Sequence, residues 1–186
     1  MKGSADRVIG IIAKYYEPGS PAYDILLEHS RAVAGKALAI AGRLERKTPD
    51  LLFIEEASML HDIGIFKTNA PSIGCHGDKP YVCHGYLGRE VLEAEGLPLH
   101  ALVCERHVGA GIGIADIDRY GLPVPRRDMI PLSIEERIIC FADKFFSKKK
   151  GALGVEKPLE EVRAGITKYG ADTLRRFERM LREFGG

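Results

Sequence analysis

Apolar residues recur at helical spacing along most of the chain, and strand-like alternation is nearly absent. In the segment that begins at Ser20, the apolar positions include Ile25, Leu26, Val33 and Ile40, a spacing typical of one face of an α-helix. A serine followed by a proline at its start is typical of a helix N-terminus. The pattern predicts seven helices, at about 5–16, 20–46, 50–62, 84–95, 98–107, 133–149 and 158–183. We therefore predict an all-α helical bundle.

Two long irregular segments interrupt the predicted helices, at 64–83 and 110–132. Loops of this length are uncommon inside compact domains and are often functional. The next helix starts with Ser133 and Glu136, which have the spacing of a capping box. No repeat or low-complexity tract divides the chain, so we predict one domain over residues 1–186. Its core covers about 20–148, and a C-terminal helix follows at 158–183.

Composition and charge argue against several classes of protein. Apolar residues make up 45% of the chain, charged residues 28%, and the formal net charge is +1, so no strong field attracts nucleic acid or a membrane surface. The apolar run at 8–13 is too short for a signal peptide or a membrane span, and four cysteines are too few for a disulfide scaffold. We interpret Lys148–Lys150 as a solvated helix end rather than a phosphate site. We expect a cytoplasmic protein with neither a membrane nor a nucleic-acid duplex as partner, and self-association into a homo-oligomer stays open.

Several histidine and aspartate residues stand where ordinary surface roles do not explain them. His61 and Asp62 are adjacent where the third predicted helix ends, and helical geometry turns them about 100° apart. His29 lies on the apolar face of the second helix, where a histidine is more often a hydrogen-bonded core residue than a ligand. Asp143 lies among apolar residues of a later helix, where a carboxylate is costly unless it is paired or binds a metal.

His84 and His107 fall at the ends of two further helices. Each alone has a simpler interpretation, as a cap-region residue or as a cation that complements the helix dipole. Taken together with the other four residues, they would place nitrogen and oxygen donors on several facing helices, which is how metal sites in bundles are built. Imidazole and carboxylate ligands suit iron, zinc, manganese or nickel.

The same residues resemble those of the HD-domain superfamily of metal-dependent phosphohydrolases. Members carry a histidine, a later His-Asp doublet and a distant aspartate on an all-helical core. In this chain those residues are His29, His61–Asp62 and Asp143, within the matching contexts "HDIG" and "FADKF". The resemblance covers about 20–148 and implies one metal ion held by these four side chains.

Binuclear members of the superfamily carry two additional histidines, and His84 and His107 fall in those places. The resemblance then implies a second ion at these histidines, with Asp62 bridging the two ions. The expected cofactors are two divalent cations, with Fe, Mn, Zn, Ni and Co as candidates. The chain has "GAGIG" after His107 where the cyclic-di-GMP phosphodiesterase branch has "GYP", which argues against that substrate.

The resemblance implies hydrolysis of a phosphomonoester or phosphodiester in a small, nucleotide-like molecule. Hydroxide held by the metals would attack phosphorus, with Asp62 as the shared ligand. Lys144 and Arg106 are candidates for the cation near the leaving group, although each has a surface or capping role as its alternative. Two other functions stay open: a di-iron oxygenase of the same superfamily, and a non-catalytic regulatory or binding module. The module is less favoured because every expected ligand is present.

Overall fold

The computed structural model describes residues 2–44 and 48–185, and it confirms the all-α class. The nine α-helices in this part of the chain are α1 (Lys2–Tyr15), α2 (Pro21–Ala41), α3 (Leu51–Leu60), α4 (His84–Ala94), α5 (Pro98–Arg106), α6 (Ile114–Tyr120), α7 (Ile134–Asp143), α8 (Leu159–Thr167) and α9 (Ala171–Phe184). Two short antiparallel strands, β1 (Asn69–Ala70) and β2 (Cys75–His76), and three 3₁₀ helices, Ile63–Lys67, Pro71–Ile73 and Tyr81–Cys83, complete the described elements. None of the helices in these ranges has the length and apolar character to cross a membrane.

Polar caps begin two of the helices where the sequence pattern predicts them. The Ser20 hydroxyl accepts a hydrogen bond from the Tyr23 N–H at 3.3 Å, and the Ser133 hydroxyl accepts one from the Glu136 N–H at 3.1 Å. The Glu136 carboxylate accepts from the N–H of Leu132 at 2.8 Å. The predicted capping box at α7 is therefore present in a modified form. The carboxylate of Glu136 accepts from the N–H of Leu132 instead of from the N–H of the N-cap residue Ser133.

Several predicted elements differ from the structure. The second loop contains a helix, α6. The C-terminal helix is two helices, because Gly170 adopts φ 96° between them, a left-handed conformation that glycine tolerates and that interrupts a helix. The helix predicted to reach Lys149 ends at Asp143. The second helix, predicted to reach residue 46, ends at Ala41, and residues 45–46 lie outside the described ranges.

The candidate ligands lie where two apolar clusters meet. One cluster includes Val33 of α2 and Ile54 of α3, and the other includes Leu26 of α2 and Leu60 of α3. His29 stands between Leu26 and Val33 along α2. The two clusters hold α2 and α3 together on both sides of the buried histidines, which fixes the direction of the side chains between them.

A glycine brings the turn after α3 against α4. A Cβ atom at Gly64 would lie 2.2 Å from the carbonyl oxygen of His84 and 2.4 Å from the nitrogen of Gly88. Real side chains do not tolerate such contacts, so only glycine permits this approach of the 3₁₀ turn Ile63–Lys67 to the helix. The approach carries the first residue of α4 to the side chain of Asp62.

Candidate metal centre

Six buried side chains from five parts of the fold meet at one centre: His29, His61, Asp62, His84, His107 and Asp143. They are the six metal ligands that the sequence predicts. They form two groups that share Asp62, and within each group the donor atoms lie within 4.8 Å of one another.

In the first group, two histidines face two carboxylates. The Nε2 atom of His29 lies 3.0 Å from Asp143 Oδ1 and 3.2 Å from Asp62 Oδ2. The Nε2 atom of His61 lies 3.0 Å from Asp62 Oδ2 and 3.5 Å from Asp143 Oδ1. Four donor atoms therefore surround one small volume, as the ligands of a single cation do.

In the second group, two histidines face the other oxygen of the shared carboxylate. Asp62 Oδ1 lies 3.3 Å from His84 Nε2 and 3.4 Å from His107 Nε2. The two Nε2 atoms are 3.1 Å apart. Asp62 thus presents Oδ2 to the first group and Oδ1 to the second, an orientation available to a carboxylate that bridges two cations.

Backbone carbonyls set the orientation of three of the imidazole rings. The Nδ1 atoms pair with carbonyl oxygens three residues earlier: His61 with Ser58 at 2.6 Å, His84 with Tyr81 at 2.6 Å and His107 with Cys104 at 2.7 Å. With Nδ1–H as the donor, each ring keeps the lone pair of Nε2 towards the centre. Metal-binding histidines are oriented in this way in many proteins.

Several donor atoms of the centre are left without hydrogen bonds. Among the described residues, His61 Nε2 and both carboxylate oxygens of Asp62 are buried and have no hydrogen bond of suitable geometry, although Asp62 Oδ2 forms an ion pair with Lys148. Buried polar atoms almost always have partners, and a buried carboxylate is costly without one. Imidazole nitrogen and carboxylate oxygen together suit divalent transition metals. The side chains present therefore fit divalent metal binding.

Burial and neighbouring charges give the donors of the centre different protonation states. Burial alone would lower the pKa of His61, but Asp62 and Asp143 outweigh it and raise that pKa to about 9. Burial lowers the pKa of His84 to about 3. Burial alone would raise the pKa of Asp62, yet nearby cations hold it well below its usual value. Ionised carboxylates and a neutral His84 are the forms that ligate metals, whereas His61 has to release a proton when a metal binds.

Two lysines accompany the two carboxylates. The Nζ atom of Lys148 lies 2.5 Å from Asp62 Oδ2, and that of Lys144 lies 2.6 Å from Asp143 Oδ2. Lys144 also donates a hydrogen bond to the carbonyl oxygen of His107 at 2.9 Å. The structure therefore brings Lys144 to the centre, where its contacts tie together two ligand-bearing segments.

Lys148 is a member of the centre that sequence reasoning missed. In a continuous helix through Lys149, the five residues after Asp143 would turn Lys148 about 140° away from it. Because α7 ends at Asp143, the chain turns, and the lysine side chain reaches the cluster instead of solvent. A lysine run that begins five residues after a candidate ligand, Asp143, is the signal that could have pointed to it.

Arg106 is not brought to the centre. Its Nη1 atom lies 3.0 Å from each carboxylate oxygen of Glu136. Although it precedes His107 in the chain, its side chain connects the end of α5 to the first turn of α7. This ion pair gives Arg106 a structural role, and its side chain is not the predicted cation near a leaving group.

A cavity of about 940 Å³ lies next to the centre. Its lining includes His84, His107 and Asp143, together with Lys144, Lys148, Lys149, Lys157 and Lys168 and the tyrosines Tyr81, Tyr120 and Tyr169. The volume is typical of a small-molecule site. A ligand in this cavity has direct access to the candidate metal ligands.

Comparison with known proteins gives a family and a small set of relatives. An uncharacterized protein of Methanocaldococcus jannaschii is 34% identical over 121 residues, covering 63% of this chain and 64% of that protein. A tRNA (cytidine(56)-2'-O)-methyltransferase of Thermoplasma volcanium is 27% identical over 161 residues, covering 86% of this chain and 43% of that protein. The methyltransferase of the same name from Picrophilus torridus is 31% identical over 125 residues, covering 67% and 32%. The chain therefore spans less than two thirds of the length of each of these relatives, and no solved structure matches it significantly.

The model of the HD domain matches residues 26–147. This match covers more than half of the chain and contains all six candidate metal ligands. The helical fold and the buried histidine and aspartate cluster agree with it. The chain belongs to the HD domain family.

Proposed function

We propose that this chain is a metal-dependent phosphohydrolase that cleaves a phosphomonoester or phosphodiester of a nucleotide-like small molecule. The observation that carries the proposal is the orientation of Asp62, which offers Oδ2 to one ligand group and Oδ1 to the other. Neighbouring metal sites that share a carboxylate suit displacement at phosphorus. Membership of the HD domain family supports the same class of reaction.

Each ligand group has the donors for one divalent ion, with Fe, Mn, Zn, Ni and Co as candidates. Such ions supply an activated water and neutralise charge on phosphoryl oxygens. The protein contributes the fixed positions of the donors, since carbonyl groups orient three of the imidazole rings. Lys144 adds to this by holding both Asp143 and the backbone of His107.

The adjoining cavity supports a phosphorylated, nucleotide-like substrate. Five lysines line it, and ammonium groups complement phosphate oxygens. The three tyrosines in the same lining offer aromatic faces against which a base can pack. Methyl transfer to tRNA is not part of this proposal, because the region matched to those relatives is less than half of each.

The test combines metal analysis with a phosphatase and phosphodiesterase screen on protein purified with and without oxygen. We expect about two ions per chain and phosphate release that does not depend on oxygen. Asp62→Ala should lose both ions and the activity. The matched control is Asp118→Ala, because Asp118 forms a surface ion pair with Arg126 at 2.8 Å, away from the centre.

The outcomes separate the alternatives. Two irons per chain with oxygen consumption and no phosphate release would overturn the hydrolase in favour of an oxygenase. One ion per chain with hydrolysis would retain the reaction and remove the second metal from the proposal. Protein that binds no metal in any preparation would overturn the enzyme and favour a binding module.

A further inference from the structure

Lys148 and Tyr81 meet on the side of the centre that faces the cavity. Both residues line the cavity. The Lys148 side chain is 14% exposed, and its ammonium lies 2.5 Å from Asp62 Oδ2. The hydroxyl of Tyr81 is a second polar neighbour of that ammonium. A cation and a hydroxyl donor thus stand together between the shared carboxylate and the cavity.

The contact of Lys148 with Asp62 is compatible with a metal bound in the first group. Lys148 pairs with Asp62, while the ion-pair partner of Asp143 is Lys144. A carboxylate oxygen has two lone-pair positions, so Asp62 Oδ2 can accept from an ammonium and also face His61. The ammonium has three N–H groups, more than its ion pair with Asp62 and the neighbouring Tyr81 hydroxyl engage.

The protein holds the segment that carries Lys148 in place. The N–H of Lys157 donates to the carbonyl oxygen of Phe145 at 2.8 Å. The ammonium of Lys157 lies 3.4 Å from the carbonyl oxygen of Lys144 and 3.3 Å from that of Phe146. These bonds close the segment between α7 and α8 into a loop, and they direct Lys148 inwards.

The position of Tyr81 is tied to a candidate metal ligand. Its carbonyl oxygen accepts the Nδ1–H of His84 at 2.6 Å. Its ring packs on the His84 imidazole with centroids 4.7 Å apart. At 38% exposure, the tyrosine remains accessible from the cavity side. The hydroxyl therefore has a defined place relative to the second ligand group.

We propose that Lys148 and Tyr81 form the phosphoryl-binding pair of this site, with the ammonium and the hydroxyl donating to phosphate oxygens on the cavity side of the centre. The inference rests on the proposed phosphohydrolase function and assigns its substrate contacts. Among the cavity lysines, Lys144 is already bound to Asp143 and to the carbonyl oxygen of His107. Of the lysines described in the cavity lining, Lys148 is the one that contacts the shared ligand, and its side chain also remains partly exposed.

The test measures binding of inorganic phosphate to metal-loaded protein by isothermal titration calorimetry, with metal content determined for each variant. Lys148→Met should weaken phosphate binding about tenfold to hundredfold, from the usual strength of a hydrogen bond to a charged group. Tyr81→Phe should weaken it up to about tenfold and leave the metals bound. The matched control is Lys150→Met, which changes an exposed lysine of the same run that does not line the cavity.

A second substitution at the same position guards against simple loss of folding. Lys148→Arg keeps the charge beside Asp62 and should restore part of the affinity that Lys148→Met loses. Tyr81→Phe removes only a hydroxyl from a partly exposed ring. Its phosphate affinity can therefore still test the proposal if Lys148→Met does not fold. Recovery of affinity in Lys148→Arg would show that the loss in Lys148→Met comes from the missing cation and its N–H donors rather than from disturbed folding.

Three results would overturn the proposed pair. The first is phosphate binding that is unchanged in both Lys148→Met and Tyr81→Phe. The others are loss of metal together with phosphate binding in these variants, and metal-loaded wild-type protein that binds no phosphate. The experiment can refute the phosphoryl-binding pair and the hydrolase function independently of each other. Wild type that binds phosphate through these residues but cleaves no ester would retain the pair and refute the hydrolase. Hydrolysis with normal phosphate binding in both variants would do the reverse.

Discussion

Replacing Gly64 by alanine should disturb the second ligand group while sparing the first. The 3₁₀ turn that contains Gly64 packs directly on the backbone of α4, whose first residue is His84. A Cβ atom there would lie 2.2 Å from the His84 carbonyl oxygen and 2.4 Å from the Gly88 nitrogen. Both contacts are with backbone atoms, so no flexible side chain can move aside.

The size of the required shift follows from these contacts. Ordinary contacts of a Cβ begin near 3.4 Å, so the gap to the His84 oxygen must widen by about 1.2 Å. Ligand distances in metal sites vary by only about 0.2 Å. A shift of α4 by even half of that gap would misplace His84 relative to Asp62. Overpacking of this kind costs about 1–3 kcal/mol of unfolding free energy.

The assay pairs guanidinium unfolding with elemental analysis of bound metal. Gly64→Ala should be less stable and should retain fewer ions per chain, with the first group still occupied. The control is Gly35→Ala in α2, where an added Cβ meets nothing within 4 Å. Alanine is about 1 kcal/mol better than glycine inside a helix, so this variant should be as stable as wild type or more stable. Wild-type stability together with full metal content in Gly64→Ala would refute the close-packing argument.

Other predictions address single contacts. Asp62→Ala should lose both ions, whereas His84→Ala should lose mainly the second, and elemental analysis counts the ions per chain. Arg106→Met should lower the free energy of unfolding by about 2–3 kcal/mol without changing metal content, because Glu136 would keep a largely buried, unpaired charge. Burial lowers the pKa of His100, so the unfolded chain gains protons near pH 6.5 that the folded protein resists. Stability should therefore fall as the pH drops below about 6.5, and His100→Gln should reduce that loss in unfolding experiments at pH 5.5 and 7.5.

Each of these predictions has a contrary result. Two ions bound to Asp62→Ala would remove Asp62 as the shared ligand. Metal loss in Arg106→Met would return Arg106 to the centre. An unchanged pH dependence in His100→Gln would show that other buried histidines, such as His107, account for it.

The six residues of the candidate metal centre were predictable because their signals are local. An imidazole on an apolar helix face, or a His-Asp doublet at a helix end, can be recognised from neighbouring residues alone. The same holds for the helices and for the serine cap of α7. The positions of Lys148 and Arg106 were not predictable in this way. The position of Lys148 depends on where α7 ends, and that of Arg106 depends on α7 lying beside α5. Both are properties of the tertiary fold.

Loop structure was also beyond sequence reasoning. Gly170 divides the predicted C-terminal helix, yet glycine is tolerated inside helices at a moderate cost, so its presence alone did not indicate a break. The short helix α6 lies in a segment rich in glycine and proline, where the apolar pattern is weak. Its position is stabilised by a distant residue, since Arg176 of α9 pairs with Asp116 at 2.6 Å.

The charge balance of the centre favours an anionic substrate. The two ammonium groups of Lys144 and Lys148 lie against the two carboxylates of Asp143 and Asp62, so the buried carboxylates are compensated by the protein itself. Divalent ions bound at the same place would add positive charge that no further carboxylate of the two ligand groups offsets. In a partly desolvated site such an excess is costly unless an anion joins it. The phosphoester of the proposed reaction would supply that negative charge, and the lysines that stabilise the folded centre would then also favour its binding.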